Sequence, residues 1–281
     1  MWQDDAWRVF WTSDRAPVRF RAANSVIEAA TTWQRLSKGL EWTTLRLSCG
    51  GPSCRLRVVV ARIDPKEFTF SLRMALTRED MRPAWTIDRA PASALLAVNA
   101  GQFVSTMPWG WVAIDGRQVL KPGYGPLSSA IAFDPNGGVT WSHGDSLLNA
   151  DRVAAGFQSY PTLLAGDGVV PDEIRVPGRG INLTHRDTRL ALGTLRDGRV
   201  LIAMTRYDAV GDLSSGIPIG PTTPEMAALM GSLGATDAVM LDGGISAQLL
   251  LRDATTGGTH RWTGVRKVPL ALLATPRTRT K

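Results

Sequence analysis

The chain has 281 residues, of which 44% are hydrophobic and 20% charged, a globular composition that excludes a disordered chain and allows one large domain or two small ones. Its net charge of +7 comes from scattered arginines with no Lys/Arg run or aromatic-basic stripe, which points to a basic solvated surface rather than a nucleic-acid site. No stretch approaches the roughly 20 apolar residues needed to span a bilayer.

The first residues, Met1-Trp2-Gln3-Asp4-Asp5-Ala6, are acidic and polar, unlike the basic-then-apolar layout of a leader, so the reading expects either a cytoplasmic protein or one whose leader has been removed. Ser25 to Leu36 is expected to be a helix. Antiparallel strands are expected at Thr43–Ser48, Arg55–Ala61 and Glu67–Arg73. Cys49 and Cys54 bracket Gly50-Gly51-Pro52-Ser53, a turn tight enough for a small disulfide loop, which would favour an oxidising, exported location. The three histidines, His143, His185 and His260, lie far apart, and a second ligand pair for the cysteines is missing, which argues against zinc.

After a loop or short helix over Thr77–Ala92, a strand is expected over Ser93–Asn99, then short strands over Gly110–Val119, Ser128–Phe133 and Gly138–Trp141, separated by Asp115-Gly116 and Asn136-Gly137-Gly138 turns. Leu190–Leu195 and Val200–Thr205 read as a hairpin closed at Asp197-Gly198. A helix follows within Gly220–Gly234, with Thr222 and Glu225 as a capping box and Gly234 at its C-terminal end. It feeds an apolar strand, Val239-Met240-Leu241, which runs into Asp242-Gly243-Gly244-Ile245-Ser246 before a strand resumes over Gln248–Leu251. No internal repeat or linker interrupts the pattern, so the expected fold class is α+β: a single domain with a mixed, largely antiparallel β-sheet and few helices.

Four segments share one layout, an apolar strand that ends in polar residues and glycine: Asn99–Phe103, Gln158–Pro161, His185–Gly193 and Leu241–Ser246. In order and spacing they resemble the phosphodiester glycosidase family, whose animal member removes N-acetylglucosamine from a phosphodiester, and its bacterial branch in particular. The resemblance runs from Trp33-Gln34-Arg35-Leu36 through Arg62-Ile63-Asp64 to Lys267-Val268-Pro269. It implies an N-terminal extension over 1–32 and a phosphodiester glycosidase-like domain over 33–281. The family's asparagine-glycine motif falls on Asn99-Ala100-Gly101-Gln102-Phe103, with Ala100 for a glycine and Gln102 for an apolar residue. Its glutamine-serine-x-proline motif falls on Gln158, Ser159 and Pro161, and its arginine on Arg189. Its acidic glycine-rich turn falls on Asp242-Gly243-Gly244-Ile245-Ser246-Ala247, with Ile245 for the third glycine and Ala247 for the second serine.

A sugar-1-phosphodiester needs an anion site, a carboxylate at the anomeric carbon and hydrogen bonds to the sugar. The residues assigned to catalysis are Asp242 as nucleophile, base or oxocarbenium stabiliser, Arg189 on the phosphate, and Asn99. Gly101, Gln102, Gln158, Ser159, Gly243, Gly244 and Ser246 are assigned to substrate binding, with the Gly243 and Gly244 amides facing the anion. Asp187, Asp208 and Asp212 are candidate second acids, and His185 a candidate acid or base. Arg189 has a structural alternative, pairing with Asp187 or Asp242, and so has Asn99, capping a turn. Trp109 and Trp111 have the choice of stacking on a sugar or packing on sheet neighbours. No cofactor is required by this reading, though the oxygen ligands around Asp242 suit a hard cation such as calcium. The expected partner is a carbohydrate phosphodiester, with no nucleic acid, no membrane span and no oligomeric state specified. The location expected is secreted or periplasmic. Two rival classes remain: a glycan- or envelope-binding protein on the same fold without turnover, and a metal-dependent phosphodiesterase that cuts P–O, against which the missing histidine clusters count.

Overall fold

The structure, a computed structural model, describes residues 1–3, 6–9, 11–12, 17–48, 55–144, 146, 149–179, 181–207 and 219–278. Cys49, Cys54, Asp208 and Asp212, all singled out above, lie outside the described residues. In the first half the strands are β1 (Trp2–Gln3), β2 (Ala6–Trp7), β3 (Gln34–Ser37), β4 (Leu40–Ser48), β5 (Arg55–Ile63), β6 (Phe68–Met74), β7 (Leu96–Asn99), β8 (Phe103–Val104), β9 (Met107–Pro108), β10 (Val112–Ile114) and β11 (Arg117–Leu120). The second half adds β12 (Ser129–Phe133), β13 (Val139–His143), β14 (Ala155–Ser159), β15 (Thr162–Leu164), β16 (Leu190–Leu195), β17 (Val200–Tyr207), β18 (Ala235–Leu241), β19 (Leu249–Arg252), β20 (Thr259–Trp262) and β21 (Leu270–Pro276). The α-helices among the described residues are α1 (Ser25–Ala30) and α2 (Thr223–Ser232).

Three sheets enclose the core. A seven-stranded sheet has the order β15-β18-β16-β17-β5-β4-β3, and two five-stranded sheets have the orders β11-β10-β14-β12-β13 and β20-β19-β7-β21-β6. Every pairing between the named strands is antiparallel, so the largely antiparallel α+β expectation holds.

Strand β5 shows why the large sheet reads as a nearly continuous apolar run. Val59, Ala61 and Ile63 point into the central core, with Phe68, Phe133, Phe157 and Leu272. The alternate residues Val58 and Val60 point to the opposite face, where Leu45, Leu201, Met226 and Met230 cover them. A strand buried on both faces has no polar phase to alternate with. Each fully buried aliphatic side chain contributes about 1.5–3 kcal/mol over its exposed state.

Helix α2 supplies part of that second cover. Its capping box is formed: the Glu225 N–H donates to Thr222 Oγ1 and the Thr222 N–H donates to the Glu225 carboxylate. Gly234 follows its end with φ +90°. The expected helix over Ser25–Leu36 is shorter than predicted. It ends at Ala30, where Thr31 turns extended and its hydroxyl donates back to the Ile27 carbonyl at 2.6 Å. Two β-branched threonines then lead into β3, whose Leu36 joins the central core.

Candidate active site

The four polar strand ends meet at one edge of the core. Leu190, which opens β16, pairs with Leu241, which closes β18, and Leu249 beyond the turn pairs with Val98 of β7. Strand β14 is tied to the same place: Ser159 Oγ donates to the Met240 carbonyl at 2.5 Å, and the Met240 N–H donates to the Pro161 carbonyl at 3.0 Å. Gly101, at φ +66°, turns its carbonyl to accept the Asp242 N–H at 3.0 Å. Asp242 therefore stands on a rigid junction of strands.

Its carboxylate is mostly buried and pairs with Arg266, whose Nη2 lies 3.0 Å from Asp242 Oδ2. The same guanidinium donates from Nε to Ser246 Oγ at 2.7 Å and sits over the Phe103 ring at 4.4 Å. Burial pushes the Asp242 carboxyl above the ordinary carboxylate range; bonds from Ser246 and the charge of Arg266 oppose this, and the nearby Asp187 charge adds to it. Nearly half of the Arg266 side chain remains exposed, so it can reach a ligand while holding Asp242. Arg266 was missed in the sequence because it sits in a loop with no motif of its own, beside the Lys267-Val268-Pro269 tail.

Arg189 is brought to the same edge but held differently. Its Nε donates to the Pro221 carbonyl at 3.1 Å and its Nη2 to the His185 carbonyl at 2.8 Å, with no ion pair to Asp242. Burial lowers its pKa, and the Asp187 charge opposes that. Asp187 caps the Thr188 N–H through Oδ1 at 2.7 Å, and its Oδ2 lies 4.0 Å from His185 Nε2.

The glycine pair serves contact more than anion binding. A Cβ on Gly243 would lie 2.6 Å from the Thr188 carbonyl, so only glycine lets this turn approach the start of β16. The Gly244 N–H donates to that same carbonyl at 2.9 Å. It is therefore spent on stitching the turn to β16, which corrects the expectation of a Gly244 amide facing the phosphate.

Three polar side chains assigned to catalysis or substrate are also spent inside the protein. Asn99 is 1% exposed, donates from Nδ2 to the Asp242 carbonyl at 2.8 Å and accepts the Gln248 N–H at 2.9 Å. Gln158 accepts from the Trp111 and Gly123 N–H groups and donates to the Gly123 carbonyl. Ser159 is fully buried on Met240. Their polar atoms are enclosed because the strand ends that carry them must be paired with one another. Ser246 is fully buried under Arg266. Gln102 donates to the Tyr160 carbonyl at 3.1 Å and remains partly exposed. Trp111 is buried, whereas Trp109 packs edge-on to Tyr160 at 4.6 Å.

Among the described residues no group of three or more His, Cys, Asp or Glu is arranged to hold a metal ion, and no helix is long and apolar enough to cross a membrane. A cavity of about 510 Å³ lies between Trp11, Phe20 and the first turn of α2; Arg186 and Glu225 line it and Asp242 does not.

The family model described as phosphodiester glycosidase matches residues 92–275, which include all the residues of this site. No protein of curated function matches the sequence significantly. Among solved structures, the zebrafish N-acetylglucosamine-1-phosphodiester alpha-N-acetylglucosaminidase catalytic domain, auto-inhibited by its pro-peptide, superposes with a TM-score of 0.65 at 17% identity, covering 94% of each chain. A hypothetical protein from Synechocystis gives 0.53 at 16% identity over 88% of this chain. The chain spans 64% of that protein's length. A protein from Burkholderia pseudomallei, described as exported, gives 0.52 at 17% identity over 81% of this chain and 75% of its own. At these identities the likeness is one of fold.

Proposed function

As the chain belongs to the phosphodiester glycosidase family, we propose that it hydrolyses the glycosidic C–O bond of a sugar-1-phosphodiester, releasing free sugar and a phosphomonoester. The observation that carries this reading is the Asp242–Arg266 pair, a mostly buried carboxylate bound to a half-exposed guanidinium at the junction of four strand ends. Such a pair offers both things the bond needs, an oxygen nucleophile for the anomeric carbon and a fixed positive charge for the departing phosphate.

In the proposed course, Arg266 and Arg189 receive the phosphate. Arg266 presents its outer edge while Ser246 and Asp242 fix its plane, and a fixed guanidinium loses less entropy on binding an oxyanion. Asp242 attacks the anomeric carbon or stabilises its developing positive charge. A phosphomonoester has a second pKa near 6, so it leaves at neutral pH without a strong general acid. Asn99 acts by holding the Asp242 backbone, and Gln158 and Ser159 by holding the loops around it. Gln102 and Trp109 remain in place to meet the sugar or the group beyond the phosphate.

N-acetylglucosamine is the first sugar to try, because the zebrafish enzyme of like fold is named for it. An exported location is proposed from the Cys49–Cys54 spacing and the exported bacterial neighbour. Intact mass with and without reductant tests it, and persistent free thiols after air exposure would count against it. The activity is tested by product analysis on α- and β-linked sugar-1-phosphodiesters, with calcium and chelator arms, for the protein and its Asp242→Asn variant. Free sugar plus phosphomonoester, lost in the variant, supports the reading. Binding without turnover of any linkage would replace it with the glycan-binding alternative.

A further inference from the structure

We infer that Asp187 is the second catalytic carboxylate of this site, the base that takes the proton from the attacking water after Asp242 has formed a covalent glycosyl intermediate. The inference rests on the glycosidase reading and deepens it. A leaving phosphomonoester needs no acid, so the first half-reaction asks for one carboxylate only. The second half does not share that freedom, because water must lose a proton as it attacks.

The geometry around Asp187 suits that task. Its Oδ1 is fixed by the Thr188 N–H at 2.7 Å, which leaves Oδ2 to turn toward the Asp242 turn. A Cβ built on Gly244 would lie 2.9 Å from that Oδ2, so Gly244 is bare where the second carboxylate leans over the turn that carries the first. Gly220 lies close against the Asp187 backbone, where a Cβ would meet its carbonyl at 2.0 Å. About a quarter of the Asp187 side chain stays exposed, and His185, more exposed still, lies 4.0 Å from Oδ2. Water can reach the carboxylate from that side. The two carboxylates also feel each other, as Asp187 contributes to the upward shift of Asp242. Asp208 and Asp212 lie outside the described residues.

The sequence of bonds is as follows. Asp242 bonds to the anomeric carbon as the C–O bond to phosphate breaks, its electron pair leaving on the phosphomonoester. Water then gives a proton to Asp187 while its oxygen bonds to the anomeric carbon, and the electron pair of the glycosyl ester returns to Asp242. Two displacements give a sugar that retains the substrate's anomeric configuration.

The test is rapid-quench kinetics with the intact protein and a sugar-1-phosphodiester that the wild type turns over. Asp187→Ala and Asp187→Asn should each release about one equivalent of phosphomonoester in a burst and then turn over roughly 10²- to 10⁴-fold more slowly, the usual size of a general-base contribution. Sodium azide should speed the steady state of the Ala variant and give a glycosyl azide of retained configuration. The Asn variant keeps an oxygen for the Thr188 N–H, so its burst decides the matter if the Ala variant does not fold. Wild-type turnover in both variants overturns the inference, as does an equal loss of the burst and the steady state without azide rescue. No turnover of any sugar-1-phosphodiester by the wild type would instead overturn the glycosidase reading itself.

Discussion

Asn99 holds both ends of the Asp242 turn: its Nδ2 donates to the Asp242 carbonyl at 2.8 Å, and its Oδ1 accepts the Gln248 N–H at 2.9 Å. Because it is 1% exposed, its truncation leaves two backbone groups unsatisfied away from water, at about 1–3 kcal/mol each. Asn99→Ala should therefore lower the melting temperature clearly and reduce kcat more than it raises KM. Thermal unfolding followed by steady-state kinetics checks this; an Ala variant of normal stability with only KM changed would mean that Asn99 binds substrate instead.

Arg266 joins three groups that a lysine cannot join together. Arg266→Lys retains the charge but loses the planar fork that meets Asp242 and Ser246 at once. We expect kcat/KM to fall by about 10²–10³, the size seen when an oriented charge-stabilising donor is lost. Arg189→Lys should cost less, because no ion pair joins Arg189 to Asp242. Measuring both variants on one substrate ranks them, and the reverse order would make Arg189, not Arg266, the principal phosphate ligand.

Gly243→Ala tests whether the glycine pair exists for packing. The added methyl would sit 2.6 Å from the Thr188 carbonyl, the group that also accepts the Gly244 N–H. Turn and strand must move apart, so both stability and activity should fall, with stability lower by about 1–3 kcal/mol as for other overpacked contacts. Urea unfolding reads the first and turnover the second. A stable but inactive variant would point instead to a Gly243 role in binding.

Two opposite pH effects follow from Asp242. Its carboxyl is raised above 3.8, chiefly by burial, so the folded state holds that proton more tightly than the unfolded chain. The stabilisation this provides is complete below the ordinary carboxylate value and is lost as pH rises through the raised folded value. Asp242→Asn should thus be the more stable form at neutral pH, and the gap should shrink in acid. Activity runs the other way, since attack needs the ionised carboxylate, and should rise with a midpoint above 3.8. Melting temperatures and rates across the acid range check both trends.

Much of the fold and part of the site were legible in the residues. The hairpin at Asp197-Gly198 and the Thr222–Glu225 capping box formed as expected, because each depends on local turn or cap chemistry. The convergence of Asn99, Ser159, Arg189 and Asp242 was legible from the shared layout of their segments. What each polar group does there was not, because a side chain and a strand end compete for the same hydrogen bonds. Asn99, Gln158 and Ser159 proved to be spent on backbone, as did the Gly244 amide. Arg266 had no local signal at all; the pairing of β19 and β21 against β7, with the Val265 and Arg266 N–H groups donating to the Ile245 carbonyl, brings its loop to Asp242.

The central claim is C–O cleavage at the anomeric carbon, and hydrolysis in oxygen-18 water tests it most directly. Phosphorus NMR of the released phosphomonoester reads whether the solvent oxygen has entered the phosphate. Attack at carbon predicts a phosphomonoester with no heavy oxygen, with the label carried by the sugar. A labelled phosphate would show that water attacked phosphorus, and would contradict the glycosidase account.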